Sequence, residues 1–322
     1  MRVLSRAAVL ASVVALTLTG CRSLPPVVPV EPSPPEVRLA ALAAVDARVA
    51  GVGHRLSIAN AELCPRTAML AGWALHAASQ YGTDLRLLAE TRFGLSGNLP
   101  GVLAVVEGGP AARAGLLSGD LSLAVDGRAL DVGQGGAVAF YEGFAANVVV
   151  LDEALSDGAA LLTVRRGEMT LDLALRPERG CAYRYQVDSS PDLYARASSD
   201  TVFISMGMAD YAASDDDLAV LLGHELAHAV LEHSEQSGGL NNLPWRVDDR
   251  EREADRVGLY LMARAGYDPA KASDFWLRFA VDYWDARYLT WGHPSARERA
   301  RELADTVTEI ERQKAAGAPI RF

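Results

Sequence analysis

Leu218-Ala219-Val220-Leu221-Leu222-Gly223-His224-Glu225-Leu226-Ala227-His228-Ala229-Val230-Leu231 is the stretch on which the rest of the chain turns. It reads as one buried helix carrying His-Glu-Leu-Ala-His. A spacing of four places His224 and His228 one above the other on the same face. Two imidazoles so placed can share one metal ion, with Glu225 beside the ion's open position as a general base. The neighbouring positions are apolar, so two histidines and a carboxylate are costly there unless something pairs them. A zinc ion would do so. The alternative is a pair of hydrogen-bonded core histidines with Glu225 turned to solvent, and the full motif on such a helix favours zinc. Ser214 followed by Asp215, Asp216 and Asp217 makes an N-cap and an acidic first turn that suits the helix dipole. The helix is expected from about residue 215 to 233.

Catalytic zinc needs three protein ligands and a water. The next helix, expected over 249–264, opens Arg250-Glu251-Arg252-Glu253-Ala254-Asp255. His-Glu-Leu-Ala-His, then Glu-Ala-Asp-Arg-Val-Gly-Leu, then His293-Pro294-Ser295 resembles the HtpX/Ste-type zinc metalloendopeptidases, family 48 of the metallopeptidases. The resemblance runs from about residue 188 to 299. It implies a mainly helical, zincin-like domain of the gluzincin type in which Glu253 is the third zinc ligand. Asp255 would orient a ligand histidine from outside the metal's shell. On chemistry alone Glu251 competes with Glu253, and the two lie about 200° apart on a helix, so only one can face the metal. Val257, Tyr260 and Leu261 lie on the Glu253 side, which favours Glu253. The resemblance also brings His293 near the active site. There it would steady the oxyanion of the tetrahedral intermediate or close the zinc as a fourth ligand, unless it is a purely structural turn histidine. His54, His76 and His233 lack motif context and are left out of the site. Residues 200–208 alternate as a strand and are the expected cradle for an extended substrate.

Residues 94–176 differ in character. Strands are expected at 102–106 and 121–125, a short helix at 111–114, a longer one at 145–155, and a hairpin over 160–175 around Arg166-Gly167-Glu168. This order, with Gly-Gly-Pro-Ala-Ala-Arg-Ala-Gly-Leu-Leu-Ser-Gly-Asp over 108–120, resembles a bacterial PDZ domain. The resemblance implies a peptide ligand added as a strand at an open sheet edge, with Phe93-Gly94-Leu95-Ser96 as the carboxylate loop. A spacer that no longer binds peptide is the other reading.

Besides Cys21 the chain has Cys64 and Cys181, one on each side of this unit. In an exported protein two such cysteines are expected to pair. A Cys64–Cys181 bridge makes the PDZ-like unit an insertion into the catalytic domain; two separate buried thiols are the alternative. Residues 1–20 read as a targeting segment, with Arg2 and Arg6 ahead of an apolar run too short to span a bilayer. The run ends Leu18-Thr19-Gly20-Cys21, which resembles the bacterial lipobox and implies a lipid anchor on Cys21; an ordinary secretory signal cleaved nearby, with Cys21 incidental, is the alternative. Arg22 after it is similar to a signal for the outer membrane. The proline-rich residues 21–36 form a spacer.

The expected layout is therefore signal 1–20, linker 21–36, a helical N-terminal part of the peptidase over 37–92, the PDZ-like unit at 93–177 and the zinc domain at 178–322. The helical part holds a long amphipathic helix over 37–60 and a second helix over 67–81. The fold class is α+β. The formal net charge is −10. Without residues 1–20, which carry Arg2 and Arg6 and no acid, it is −12. That balance argues against nucleic acid as a partner and against charge-driven binding to an anionic membrane. The function expected is a lipid-anchored zinc endopeptidase of the bacterial cell envelope, facing the periplasm, with one Zn²⁺ per chain and envelope polypeptides as substrates in quality control. The alternative is an envelope chaperone or scaffold whose PDZ-like unit binds partners and whose metal site is latent. Glu225 discriminates between them, because a structural site needs no general base.

Overall fold

The computed structural model describes residues 33–133, 141–198, 200–233, 244–283 and 295–322. The expectations for residues 1–20, Cys21, most of the proline-rich linker and His293 lie outside these residues. The molecule is α+β, with two apolar cores that share one long helix. That helix, α1 (Pro35–Ala59), starts with proline at its first position, where the missing N–H costs nothing. Leu39 packs into the first core, while Val49, Val52 and Leu56 pack into the second.

The second helix expected over 67–81 does not form. Residues Thr67–Leu70 make β1, which pairs with β8 (Glu178–Cys181), and Trp73–His76 make β2, which pairs antiparallel with β3 (Gly101–Val105). Gly72 between them has φ 73°, a left-handed conformation that stops a helix. Strand partners more than a hundred residues away for β1 outweigh the local helical tendency of an alanine-rich segment. A short helix, α2 (Arg86–Phe93), follows and ends at Gly94 with φ 66°.

The first core lies in the sheet β2-β3-β4-β6-β7, with β4 at Leu121–Val125, β6 at Ala160–Arg166 and β7 at Met169–Leu175; β5 (Arg128–Ala129) pairs with β4. Helices α3 (Pro110–Arg113) and α4 (Glu142–Ser156) belong to this part. The strands and helices expected over 94–176 are thus present, but the sheet takes its edge strand, β2, from before residue 93.

The second core is built on a three-stranded sheet of order β10-β11-β9, where β9 is Arg184–Asp188, β10 Ala195–Ala197 and β11 Thr201–Ser205. β11 is the central strand, so it offers no free edge; the edge nearest the histidines is β10. The chain turns at Ser205, whose hydroxyl caps α5 (Met206–Tyr211), so the strand expected to reach 208 ends three residues early. Helices α6 (Asp215–Val230), α7 (Pro244–Arg264), α8 (Lys271–Asp282) and α9 (Ala296–Ala315) complete this half. Ser214 caps α6 through Asp217, and Ser295 with Glu298 forms a capping box at α9. Cys64 and Cys181 are joined, with Cα atoms 5.5 Å apart and 117 residues of chain between them. The bridge closes the first sheet's chain segment at the point where it rejoins the second core.

Candidate metal centre

The histidines of α6 converge as their spacing requires. Their Nε2 atoms are 3.1 Å apart, at the floor of a cleft of about 300 Å³. The third group is Glu251 of α7. Its Oε2 lies 3.2 Å from Nε2 of His224 and its Oε1 3.4 Å from Nε2 of His228. The side chain of Glu251 is 9% exposed, whereas that of Glu253 is 52% exposed and touches His233. Glu253 is therefore not placed as the third ligand; Glu251 is. The helical-face argument failed because α7 is buried nearly all round from Val257 to Ala263, so apolar periodicity no longer marks one inward face. The informative residue was Gly258. A Cβ there would lie 2.9 Å from the backbone nitrogen of His224, so Gly258 marks the stripe of α7 that meets α6. Glu251 stands seven residues earlier on that stripe, within about 20°.

The donor set fits zinc. Two imidazole nitrogens and one carboxylate, all buried or half-buried, bring ligand atoms within 4.8 Å of one another, and tetrahedral zinc is held by such sets at about 2.0–2.2 Å per bond. Glu225 is buried, follows His224 on α6 and lines the same cleft. Ala195, Arg196, Ala197 and Ser198, from β10 and the turn after it, form one wall.

Behind the ligands, Nδ1 of His224 lies 2.9 Å from Oδ1 of Asp255. With its Nδ1–H donated to the carboxylate, the ring keeps Nε2 free as a metal ligand. Asp255 is itself held by the buried Arg299, whose Nε donates to Oδ2 at 2.7 Å and whose Nη2 donates to Oδ1. The guanidinium of Arg299 stacks 3.6 Å from the ring centre of Trp276. Burial alone would raise the pKa of Asp255, but the charge of Arg299 and the His224 hydrogen bond bring it down to about 2. Burial and Arg299 push the pKa of His224 down, and the hydrogen bonds of Asp255 and Glu251 outweigh them and raise it to about 9.

Two supporting residues were missed in the sequence. Arg299 carries no local signal, since its partner is 44 residues away. His233 has no motif context in the sequence, and because α6 ends at Val230 helical phase does not place it. Its Nδ1 lies 2.9 Å from Nδ1 of His228.

A model of Peptidase family M48 matches residues 164–244 and 246–307. The chain is 29% identical to the mitochondrial metalloendopeptidase OMA1 of Schizosaccharomyces pombe, over 34% of this chain and 42% of that one. It is 30% identical to the Bos taurus mitochondrial metalloendopeptidase OMA1, over 36% and 31% respectively. For the Arabidopsis thaliana protein of the same name the identity is 29%, over 32% and 27%. The chain therefore spans less than half the length of these curated relatives. Among solved structures, a PDZ domain of HtrA3 bound to a phage-derived ligand aligns with a TM-score of 0.25 and 23% identity, over 35% of this chain and 89% of that one. The family match covers β9 to β11, the His-Glu-Leu-Ala-His helix and the helix of Glu251 and Asp255, so the part of the chain that carries the candidate metal centre is similar to peptidase family M48.

Proposed function

We propose that this protein is a zinc-dependent endopeptidase of the bacterial cell envelope, anchored by lipid at Cys21 and facing the periplasm from the outer membrane. The convergence of His224, His228 and Glu251 beside Glu225 in one cleft carries the peptidase part of this reading. Zinc bound there supplies a polarised water and a Lewis acid for the scissile carbonyl. Glu225 takes the proton of the attacking water and passes it to the leaving nitrogen. The outer edge of β10 receives the substrate as an added extended strand, so backbone hydrogen bonds rather than side chains supply much of the binding. Envelope proteins with exposed, unfolded segments are the fitting substrates, in keeping with a role in quality control.

The anchoring and the compartment rest on residues 1–35 of the sequence. Among the described residues no helix is long and apolar enough to cross a membrane, so Cys21 would be the attachment. Cys21→Ser should then release the protein from membranes into soluble extract.

The unit over 93–177 is read as PDZ-like. A second cleft of about 490 Å³ supports a peptide-handling role: it lies between the edge strand β2 and helix α4 and is lined by Phe144, Val148 and Leu155. The expected carboxylate loop, Phe93 to Ser96, is not part of its lining, so any peptide there would be held by the β2 edge. The same cleft is what favours a chaperone or scaffold reading. Glu225→Gln decides between them. Proteolysis of an unfolded test protein should vanish with zinc content unchanged; proteolysis that persists would end the endopeptidase reading.

A further inference from the structure

We propose that His233 and Glu253 are positioning residues that fix the ring and the tautomer of His228 as a metal ligand. The proposal rests on the zinc reading of the site. Nδ1 of His228 lies 2.9 Å from Nδ1 of His233, and Nε2 of His233 lies 3.4 Å from Oε2 of Glu253. A neutral imidazole has one donor and one acceptor nitrogen. For His228 to offer Nε2 to a metal, its Nδ1 must carry the proton, and Nδ1 of His233 must accept it. Nε2 of His233 then carries its own proton and donates to Glu253. The chain of donors has one consistent direction, and it ends on a carboxylate.

The backbone is built to make this contact. Past Val230 the N–H of His233 returns to the carbonyl of His228 at 2.9 Å, and that of Glu232 to Ala229 at 3.3 Å. This pair of bonds closes a helix with its residue before last in the left-handed conformation, a place that glycine usually takes. Here it is Glu232, with φ 55°. The turn folds His233 back beneath His228 and buries it to 5% exposure.

The two ligand histidines are thereby supported in parallel. Asp255 holds Nδ1 of His224 directly, and Glu253 holds Nδ1 of His228 through His233. The alternating acids of α7 divide into one ligand, Glu251, and two outer carboxylates. Glu253 is the residue that the family resemblance and the apolar side of α7 offered as ligand, and its role is one shell further out.

The test is zinc affinity of the full chain by chelator competition, for wild type, Glu253→Gln, Glu253→Ala, His233→Gln and His233→Ala. Outer-shell partners of this kind are worth about ten- to hundred-fold in metal affinity. Both alanine variants should lose that much and still fill to one zinc per chain at saturation. Each glutamine variant should recover part of the loss, because its amide oxygen can accept the hydrogen bond. In nitrogen-15 spectra of the zinc-loaded protein, the Nδ1–H signal of His228 should weaken or exchange faster in His233→Ala. Glu253 is half-exposed, so its variants should fold, and matched melting curves without metal establish that. Unchanged affinity, within twofold, in folded Glu253→Ala and His233→Ala would overturn the proposal while leaving the three-ligand site standing. A wild-type chain that binds no zinc would overturn both.

Discussion

Gly223 and Gly258 face each other where α6 crosses α7. A Cβ on Gly258 would lie 2.9 Å from the backbone nitrogen of His224, and one on Gly223 would lie 3.0 Å from the carbonyl oxygen of Gly258. The near contact is backbone on backbone, so neither side can yield by turning a rotamer. It sets how closely the helix of the histidines approaches the helix of Glu251.

Gly258→Ala therefore tests packing against propensity. Alanine gains about 1 kcal/mol over glycine inside a helix, while overpacking a fixed contact costs about 1–3 kcal/mol. The prediction is a net loss of stability together with weaker zinc binding, since the two helices carry different ligands. Thermal melts and a zinc titration read the two effects. A stabilised variant with unchanged affinity would show that the helices can separate at no cost.

Glu251→Ala should abolish stoichiometric zinc, leaving two imidazoles to hold the ion. Elemental analysis after dialysis against zinc-free buffer measures this directly. One equivalent of zinc retained by the variant would remove Glu251 from the ligand set.

The Cys64–Cys181 bridge spans 117 residues. In the chain-entropy account a loop of about that length is worth roughly 4–5 kcal/mol, an upper figure because bridges often deliver less. The double variant Cys64→Ser/Cys181→Ser should melt lower than wild type, and reductant should lower the wild type's melting temperature toward it. Wild type and variant melting together under oxidising conditions would mean that the bridge contributes nothing.

Asp46 of α1 sits in the larger cleft, where burial pushes its carboxyl pKa up to about 7. Below the ordinary aspartate pKa, near 3.8, both folded and unfolded chains hold the proton and no cost arises. Between there and about pH 7 the unfolded chain releases the proton first, so stability falls as pH rises, and the cost is constant above that. Each unit of difference is worth about 1.4 kcal/mol, so the penalty at pH 8 is on the order of a few kcal/mol. Asp46→Asn should raise the melting temperature at pH 8 and change it little at pH 4. An equal effect at both pH values would place the cause in packing rather than ionisation.

The zinc helix was legible because its information is local. His224, Glu225 and His228 lie within five residues, Ser214 and three aspartates mark the start, and helical geometry alone brings the imidazoles together. The α+β class and the order of elements over 94–176 were legible for the same reason, since turns at glycines and alternating apolar residues are read within a short window. Residues 67–76 were not legible. Their partners are β8 and β3, and an alanine-rich segment becomes strand only because those edges are there to receive it. The third ligand also needed the fold. Once a helix is buried on every side its apolar pattern names no face, and the choice between Glu251 and Glu253 passes to where α7 crosses α6, at Gly223 and Gly258. Arg299 and His233 became visible last. One reaches Asp255 from a different helix, and the other returns to His228 through a left-handed turn, so both roles are made by contacts that no spacing along the chain encodes.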